Sequence, residues 1–154
     1  MEDNELRATV DYVAITRLQN AYADVVTRRA WPELASLFLP DAVVRVDTVT
    51  AEPIEMLGPA QLGEFIGGSI DKFEYFQFII LNSHIELDDE AAAKARVFIS
   101  ELRQERESGH WSQVFGLYQD RYRKVDGRWL FARRDYNSLA RTARNQVFDL
   151  PQML

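Results

Sequence analysis

The second half of the chain constrains the fold most: four long β-favouring runs follow one another with only short turns between them. Tyr75 to Leu87 is aromatic and β-branched, and Asp88-Asp89-Glu90 ends it. Ala92 to Glu105 follows, then a turn at Ser108-Gly109, then Trp111 to Lys124. Asp126-Gly127 is a strong hairpin signal, because Asp and Gly tolerate the positive φ of a tight two-residue turn. Arg128 to Leu139 completes the series. Connections this short predict a mostly antiparallel meander. Tyr75-Phe76, Phe78 and Ile79-Ile80-Leu81 are apolar at both strand parities, the pattern of a strand covered on two sides.

The first half is helical. Leu6, Val10, Ala14, Leu18, Ala21, Tyr22 and Val25 recur at helical spacing, which predicts an amphipathic helix over residues 4 to 29. Pro32, after Trp31, suits the first turn of a second helix with Leu34, Leu37 and Phe38 on its apolar face, and Leu39-Pro40-Asp41 stops it. Ala42 to Val49 is a Val-rich strand. Gly58-Pro59 opens a third helix carrying Leu62, Phe65 and Ile66, and Gly67-Gly68 closes it. The tail beyond Arg141 is expected to pack as an irregular arm. The sum is an α+β fold: three N-terminal helices packed in a curved, mostly antiparallel sheet that wraps them and leaves a pocket between. All 154 residues form one domain, without linker, repeat or low-complexity segment.

Composition excludes several classes. The chain has no cysteine, hence no disulfide framework, thiolate nucleophile or cysteine zinc site. A net charge of −6 disfavours nucleic acid. No stretch of eighteen apolar residues exists and the N-terminus is acidic, so no membrane partner is expected and the default compartment is the cytoplasm. His84 and His110 lack ligand-spaced partners, and Asp88-Asp89-Glu90 lacks a twelve-residue calcium loop, so no metal is expected. Gly67-Gly68 has no phosphate-loop context, there is no Gly-x-Ser-x-Gly elbow, and no cofactor is expected. From Arg103 to Arg144 ten Lys or Arg stand against five acids, which would suit an anionic ligand or simply an outward face of alternating strand residues.

Three residues are candidate catalytic groups. His84 carries an imidazole, the side chain best suited to moving a proton, or it is an ordinary packed or surface residue. Glu101 and Arg103, two apart on one strand, share a face. An inward Glu101 would be a proton acceptor with a pKa raised by burial, or half of a rim ion pair with Arg103. Arg103 would bind a carboxylate or enolate oxygen, or end a solvated strand. Tyr22, Tyr118 and Trp111 are candidate substrate-binding residues: two hydroxyl donors to a carbonyl and an aromatic wall, or core. Asp24 should face solvent, and Asp120 should pair with an arginine on a neighbouring strand.

The element order and several local strings give the chain a resemblance to a known family. The strings are Ile15-Thr16-Arg17-Leu18-Gln19-Asn20-Ala21-Tyr22-Ala23, Trp31-Pro32-Glu33-Leu34, Leu37-Phe38-Leu39-Pro40-Asp41-Ala42, His84-Ile85-Glu86-Leu87-Asp88 and Asp120-Arg121-Tyr122-Arg123-Lys124-Val125-Asp126-Gly127-Arg128-Trp129. With these the chain resembles the SnoaL-like branch of the nuclear-transport-factor-2-like superfamily, the cone-shaped barrel fold that also holds ketosteroid isomerase and scytalone dehydratase. The resemblance implies a general acid–base histidine at His84. It puts Thr27 where many members keep a catalytic aspartate, Arg103 at a second histidine, Val46 at a strand tyrosine and Tyr118 near a pocket asparagine. It implies a cofactor-independent protein binding an apolar or aromatic small molecule, as an enzyme a lyase or isomerase of dehydratase, isomerase or cyclase type. The alternative is a non-catalytic ligand-binding or assembly module of the same fold. Because helices cover only the concave side of a curved sheet, an apolar convex face predicts a homodimer through the sheet.

Overall fold

The computed structural model describes residues 2–154. Helix α1, Asp3–Arg28, ends where Arg29 takes a left-handed conformation at φ 58°. Its buried stripe of Ile15, Leu18, Tyr22, Val25 and Val26 lies against the sheet. Strand β1 spans Phe38–Asp47 and β2 Ile54–Leu57. Helix α2 runs Gly58–Ile70, followed by β3 Phe73–Leu87, β4 Ala92–Glu105, β5 Trp111–Val125, β6 Arg128–Arg141 and β7 Gln146–Val147.

The middle one of the three expected helices is a 3₁₀ turn, Trp31–Ser36, closed by an i→i+3 bond from Leu37 N–H to Leu34 O at 3.0 Å. The chain is already in strand at Phe38, so no α-helix has room to form. Gly67-Gly68 does not end α2, which continues to Ile70. Gly67 instead admits the Trp31 indole: a Cβ there would stand 3.0 Å from Trp31 Nε1, and one on Gly63, a turn earlier, 3.2 Å from Trp31 Cβ. The two glycines let helix and tryptophan approach closely.

One sheet has the order β2-β1-β6-β5-β4-β3, with β7 on β6. Strands β3 to β6 form the expected antiparallel meander, and β1 joins β6 in parallel, curling the sheet toward closure. The concave face holds α1, and α2 lies across the wide end against β1 and the 3₁₀ turn. The tail is part strand, part arm. After β7, Phe148 N–H bonds Leu139 O at 2.8 Å, and the Gln119 side chain holds the backbone of Gln152 and Leu154. No helix among the described residues is long and apolar enough to cross a membrane.

Bulges in two strands decide which side chains enter the cone. On β3, Phe76 pairs Arg103, Phe78 pairs Glu101 and Ile80 pairs Ile99, all inward. Leu81 is then an extra residue, because Asn82 pairs Phe98. One extra residue exchanges the faces of everything beyond it. Thereafter Ser83 and Ile85 oppose the buried Val97 and Ala95, while His84 and Glu86 oppose Arg96 and Lys94 on the convex side. On β6, Phe131 pairs Tyr122 and Arg133 pairs Arg121, leaving Ala132 extra, so that Arg134 and Tyr136 turn inward opposite Asp120 and Tyr118.

Candidate functional site

The narrow end of the cone is filled. Tyr22 meets the rings of Phe38, Phe78, Tyr118 and Phe131 edge-on, with centroids 5.4–6.2 Å apart. Beneath them Arg134, 1% exposed, donates from Nε to Asp120 Oδ1 at 2.7 Å and from Nη2 to Oδ2 at 3.1 Å. Tyr122 donates to Asp120 Oδ2 at 2.6 Å and receives a bond from Gln19 Nε2 at 2.9 Å. The guanidinium carbon lies 3.8 Å from the Tyr118 ring centroid and 4.4 Å from those of Tyr22 and Phe131, a cation held over three π-faces. Asp120 thus has the arginine partner expected of it, on β6.

The wide end is hollow. A cavity of about 270 Å³ lies between α2 and the concave sheet. Leu62, Phe65, Ile66 and Ile70 form one wall, Val44 and Val46 a second, and Phe73, Phe76 and Phe78 a third. Into this apolar space project Glu101, Arg103, Tyr22, Tyr118, Tyr136, Ser138 and Arg141, with Lys72 beside them. Glu101 Oε2 stands 3.9 Å from Arg103 Nη1, an ion-pair distance beyond hydrogen-bond reach, and both side chains are about one-fifth exposed. Neither makes a hydrogen bond among the described residues, and Arg103 Nε is buried without a partner. Burial pushes the Glu101 carboxyl up from its usual range, and Arg103 pulls it back only partly. Burial likewise raises Tyr22, Tyr118 and Tyr136, so their hydroxyls stay protonated and able to donate. Ser138 Oγ lies 3.5 Å from Tyr136 OH. Gly116 faces the Tyr136 ring so closely that a Cβ would stand 2.2 Å from it, which fixes where that ring sits.

Four of the six sequence-predicted site residues come together here: Glu101, Arg103, Tyr22 and Tyr118 line one cavity. Two do not. His84, expected to share a pocket with Glu101, lies on the convex face, because the Leu81 bulge reverses its parity. Its side chain is 58% exposed and its Nε2 lies 3.1 Å from Glu86 Oε1. That contact is the main reason the Glu86 carboxyl lies below its usual range. Trp111, expected as pocket wall, is 56% exposed at the start of β5 and packs against Tyr75 with centroids 5.4 Å apart. Its parity points away from the cone: Gln104, its partner on β4, is out of phase with the inward Arg103. Tyr136, Arg134, Lys72 and Arg141 were missed. The Asp126-Gly127 hairpin register, extended without interruption, would have turned Tyr136 and Arg134 outward; the Ala132 extra residue reverses them.

The SnoaL-like domain family model matches residues 7–135. The chain belongs to the SnoaL-like domain family. Solved structures agree on its fold. A putative scytalone dehydratase from Novosphingobium aromaticivorans DSM 12444 superposes with a TM-score of 0.79 at 22% identity, over 96% of this chain and 95% of that one. A type 2 hexachlorocyclohexane dehydrochlorinase, LinA, gives 0.80 at 17% identity, over 97% and 99%. The type 3 LinA from Novosphingobium barchaimii LL02 gives 0.79 at 19%, over 96% and 99%. These likenesses show the fold, a curved sheet wrapped as a cone around its helices. Within this SnoaL-like domain, the strand residue beside Thr27 is Phe78, whose N–H donates to Thr27 Oγ1 at 3.0 Å. The side chain presented there is an apolar ring. Proton-carrying groups of the cavity stand instead on α1 (Tyr22), β4 (Glu101), β5 (Tyr118) and β6 (Tyr136), with Lys72 before β3, and no histidine among the described residues lines it.

Proposed function

We propose that this SnoaL-like domain is a cofactor-independent small-molecule-binding protein whose cone holds a lyase- or isomerase-type centre acting on an apolar or aromatic substrate. One observation carries the reading: Glu101 is a carboxylate of raised pKa, without a hydrogen bond, in an apolar cavity beside Arg103. A carboxylate left unsatisfied in such surroundings is a competent proton acceptor. In an elimination, Glu101 takes a proton from a carbon next to a carbonyl, the electron pair forms a double bond, and the hydroxyl on the next carbon takes that proton back from Glu101 and leaves as water. In an isomerisation the same proton returns at another carbon. Negative charge gathers on the carbonyl oxygen in both, and Arg103 or a tyrosine hydroxyl, Tyr136 foremost, donates to it. His84 has no part in these steps.

A second reading, a non-catalytic ligand-binding module, is favoured by one specific feature: Thr27 spends its hydroxyl on the Phe78 backbone, and no imidazole of the described residues faces it. The two readings part in a turnover screen with cyclic β-hydroxy ketones and unconjugated enones, followed by ultraviolet absorbance of the conjugated product. A catalyst gives turnover above buffer that Glu101→Gln removes, with a loss of about 10²–10⁴-fold. A binding module gives saturable binding and buffer-level turnover.

The proposed location is the cytoplasm, whose reducing conditions suit a chain without cysteine. We also propose a homodimer through the convex sheet face, where Tyr75, Leu81 and Trp111 are 41–56% exposed. Such a contact should bury on the order of 800 Å² per subunit. A monomeric mass by light scattering at micromolar concentration would refute it.

A further inference from the structure

The protein is acidic, with a net charge of −6, yet its cavity has the opposite sign. Lys72, Arg103 and Arg141 line it against the single carboxylate of Glu101. Arg141 is occupied: its guanidinium bonds Thr48 O, Thr50 Oγ1 at 3.0 Å and Ser138 Oγ at 3.4 Å, tying β6 to the segment after β1. The other two cations are not. Arg103 Cζ lies 4.7 Å, and Lys72 Nζ 5.3 Å, from the centroid of one ring, Phe73, so the two charges are no more than about 10 Å apart. Neither side chain has a hydrogen-bond acceptor among the described residues, and Arg103 Nε is buried without one. The backbone under Lys72 is fixed, because Arg106 N–H donates to Lys72 O at 3.0 Å. Two cations with free donors, on one aromatic ring at the edge of an apolar cavity, form a receptor for negative oxygen.

We infer that the cavity takes a monoanionic cyclic carboxylic acid, its carboxylate held by Arg103 and Lys72 over Phe73 and its ring system lodged among Phe65, Ile66 and Phe76. This rests on the cone being the ligand site, as proposed above, and adds the substrate class. Charge decides for a monoanion. Glu101 at 3.9 Å from Arg103 offsets one of the two cations with free donors, leaving a surplus of one beside Phe73, while the further charge of Arg141 is tied to the neutral oxygens of Thr48, Thr50 and Ser138. A phosphate dianion would meet that carboxylate as a like charge. The planar guanidinium fork also fits a carboxylate side-on. The positive cavity in a protein of net charge −6 would draw such an anion inward, and salt would weaken the pull.

The test is calorimetric titration of the purified protein with benzoate, cinnamate and 2-naphthoate, each paired with its neutral primary amide, at about 20 mM and about 300 mM NaCl. At least one acid should bind about tenfold or more tighter than its amide, the advantage shrinking in high salt. Lys72→Met and Arg103→Met should each remove most of that advantage, weakening the acid by a much larger factor than the amide, whose carbonyl oxygen accepts a bond but carries no charge. Glu101→Gln should tighten the acid, since it deletes the like charge, although the proposed chemistry makes this variant inert; the two effects separate ligand class from catalysis. Acid and amide binding equally would overturn the carboxylate receptor and leave the apolar cone site standing. An acid preference untouched by both Met variants would overturn it too, placing the anion elsewhere. Failure of every acid and amide to bind at millimolar concentration would overturn both this inference and the cone as ligand site.

Discussion

Replacing Asp120 with Asn tests whether the buried ion pair beneath the aromatic cluster is held by mutual need. The Asp120 side chain is 0% and the Arg134 side chain 2% exposed, so the pair has no access to water. Arg134 cannot lose its proton. The substituted amide would leave it a buried charge with no counter-ion and would turn an N–H toward either the guanidinium or the Tyr122 hydroxyl, both donors in the native network. Removing one partner of a buried pair costs ~3–5 kcal/mol. The three aromatic faces around Arg134 recover part of the lost attraction, which favours the lower half of that range. For a domain of this size, 1 kcal/mol moves the melting midpoint by about 2–4 °C, so the expected fall is roughly 6–16 °C by circular dichroism. Removing both charges, as Asp120→Leu with Arg134→Met, should recover most of the loss, because a well-packed apolar pair has no desolvation to offset. A shift below about 1 kcal/mol for Asp120→Asn, or a double variant no better than the single, would refute the reasoning.

The same physics yields further expectations. Asp11 is buried, which acts to raise its carboxyl, but bonds from Trp129 Nε1 at 2.9 Å and Lys124 Nζ at 3.0 Å prevail and hold it below the usual range. Its folded pKa being lower than its unfolded one, it contributes stability above the carboxylate range and loses it as pH falls through the folded value. Unfolding free energies of Asp11→Ala from urea titration should thus lie ~1.5–3 kcal/mol below wild type at pH 7 and converge with it in acid. Gly116→Ala drives a Cβ to 2.2 Å from the Tyr136 ring, so Tyr136 must leave its place at ~1–3 kcal/mol in stability, and cavity ligands should weaken as well. Arg103→Met removes the group that restrains the Glu101 pKa, so the acid limb of any Glu101-dependent rate should move to higher pH; an unmoved limb would mean that the two charges do not sense each other.

Pattern was legible in this sequence; phase was not. Strand spans expected at 75–87, 92–105, 111–124 and 128–139 occur at Phe73–Leu87, Ala92–Glu105, Trp111–Val125 and Arg128–Arg141, since turns marked by Asp-Gly and Ser-Gly carry their own chemistry. Glu101 and Arg103 were placed together because β4 is unbroken between them, and a period of two is dependable over two residues. His84 failed because the Leu81 bulge lies between it and the inward Phe78, and an extra residue leaves no mark in the alternation of a strand apolar on both faces. Tyr136 and Arg134 were lost the same way at Ala132. Lys72 was invisible for another reason. It follows α2 in a turn, and only the packing of Phe73 brings it beside Arg103, a full strand and turn further along the chain.

The central claim is that chemistry in this cone belongs to Glu101 and not to His84. Proton nuclear magnetic resonance in D₂O measures it directly, by following loss of the α-proton signals of 2-tetralone, a cyclic ketone that needs only proton abstraction to exchange. Wild type and His84→Gln should exchange the protons at the same rate above buffer, and Glu101→Gln should fall toward the buffer rate, by about 10²–10⁴-fold. Exchange that survives Glu101→Gln and disappears with His84→Gln would contradict the account.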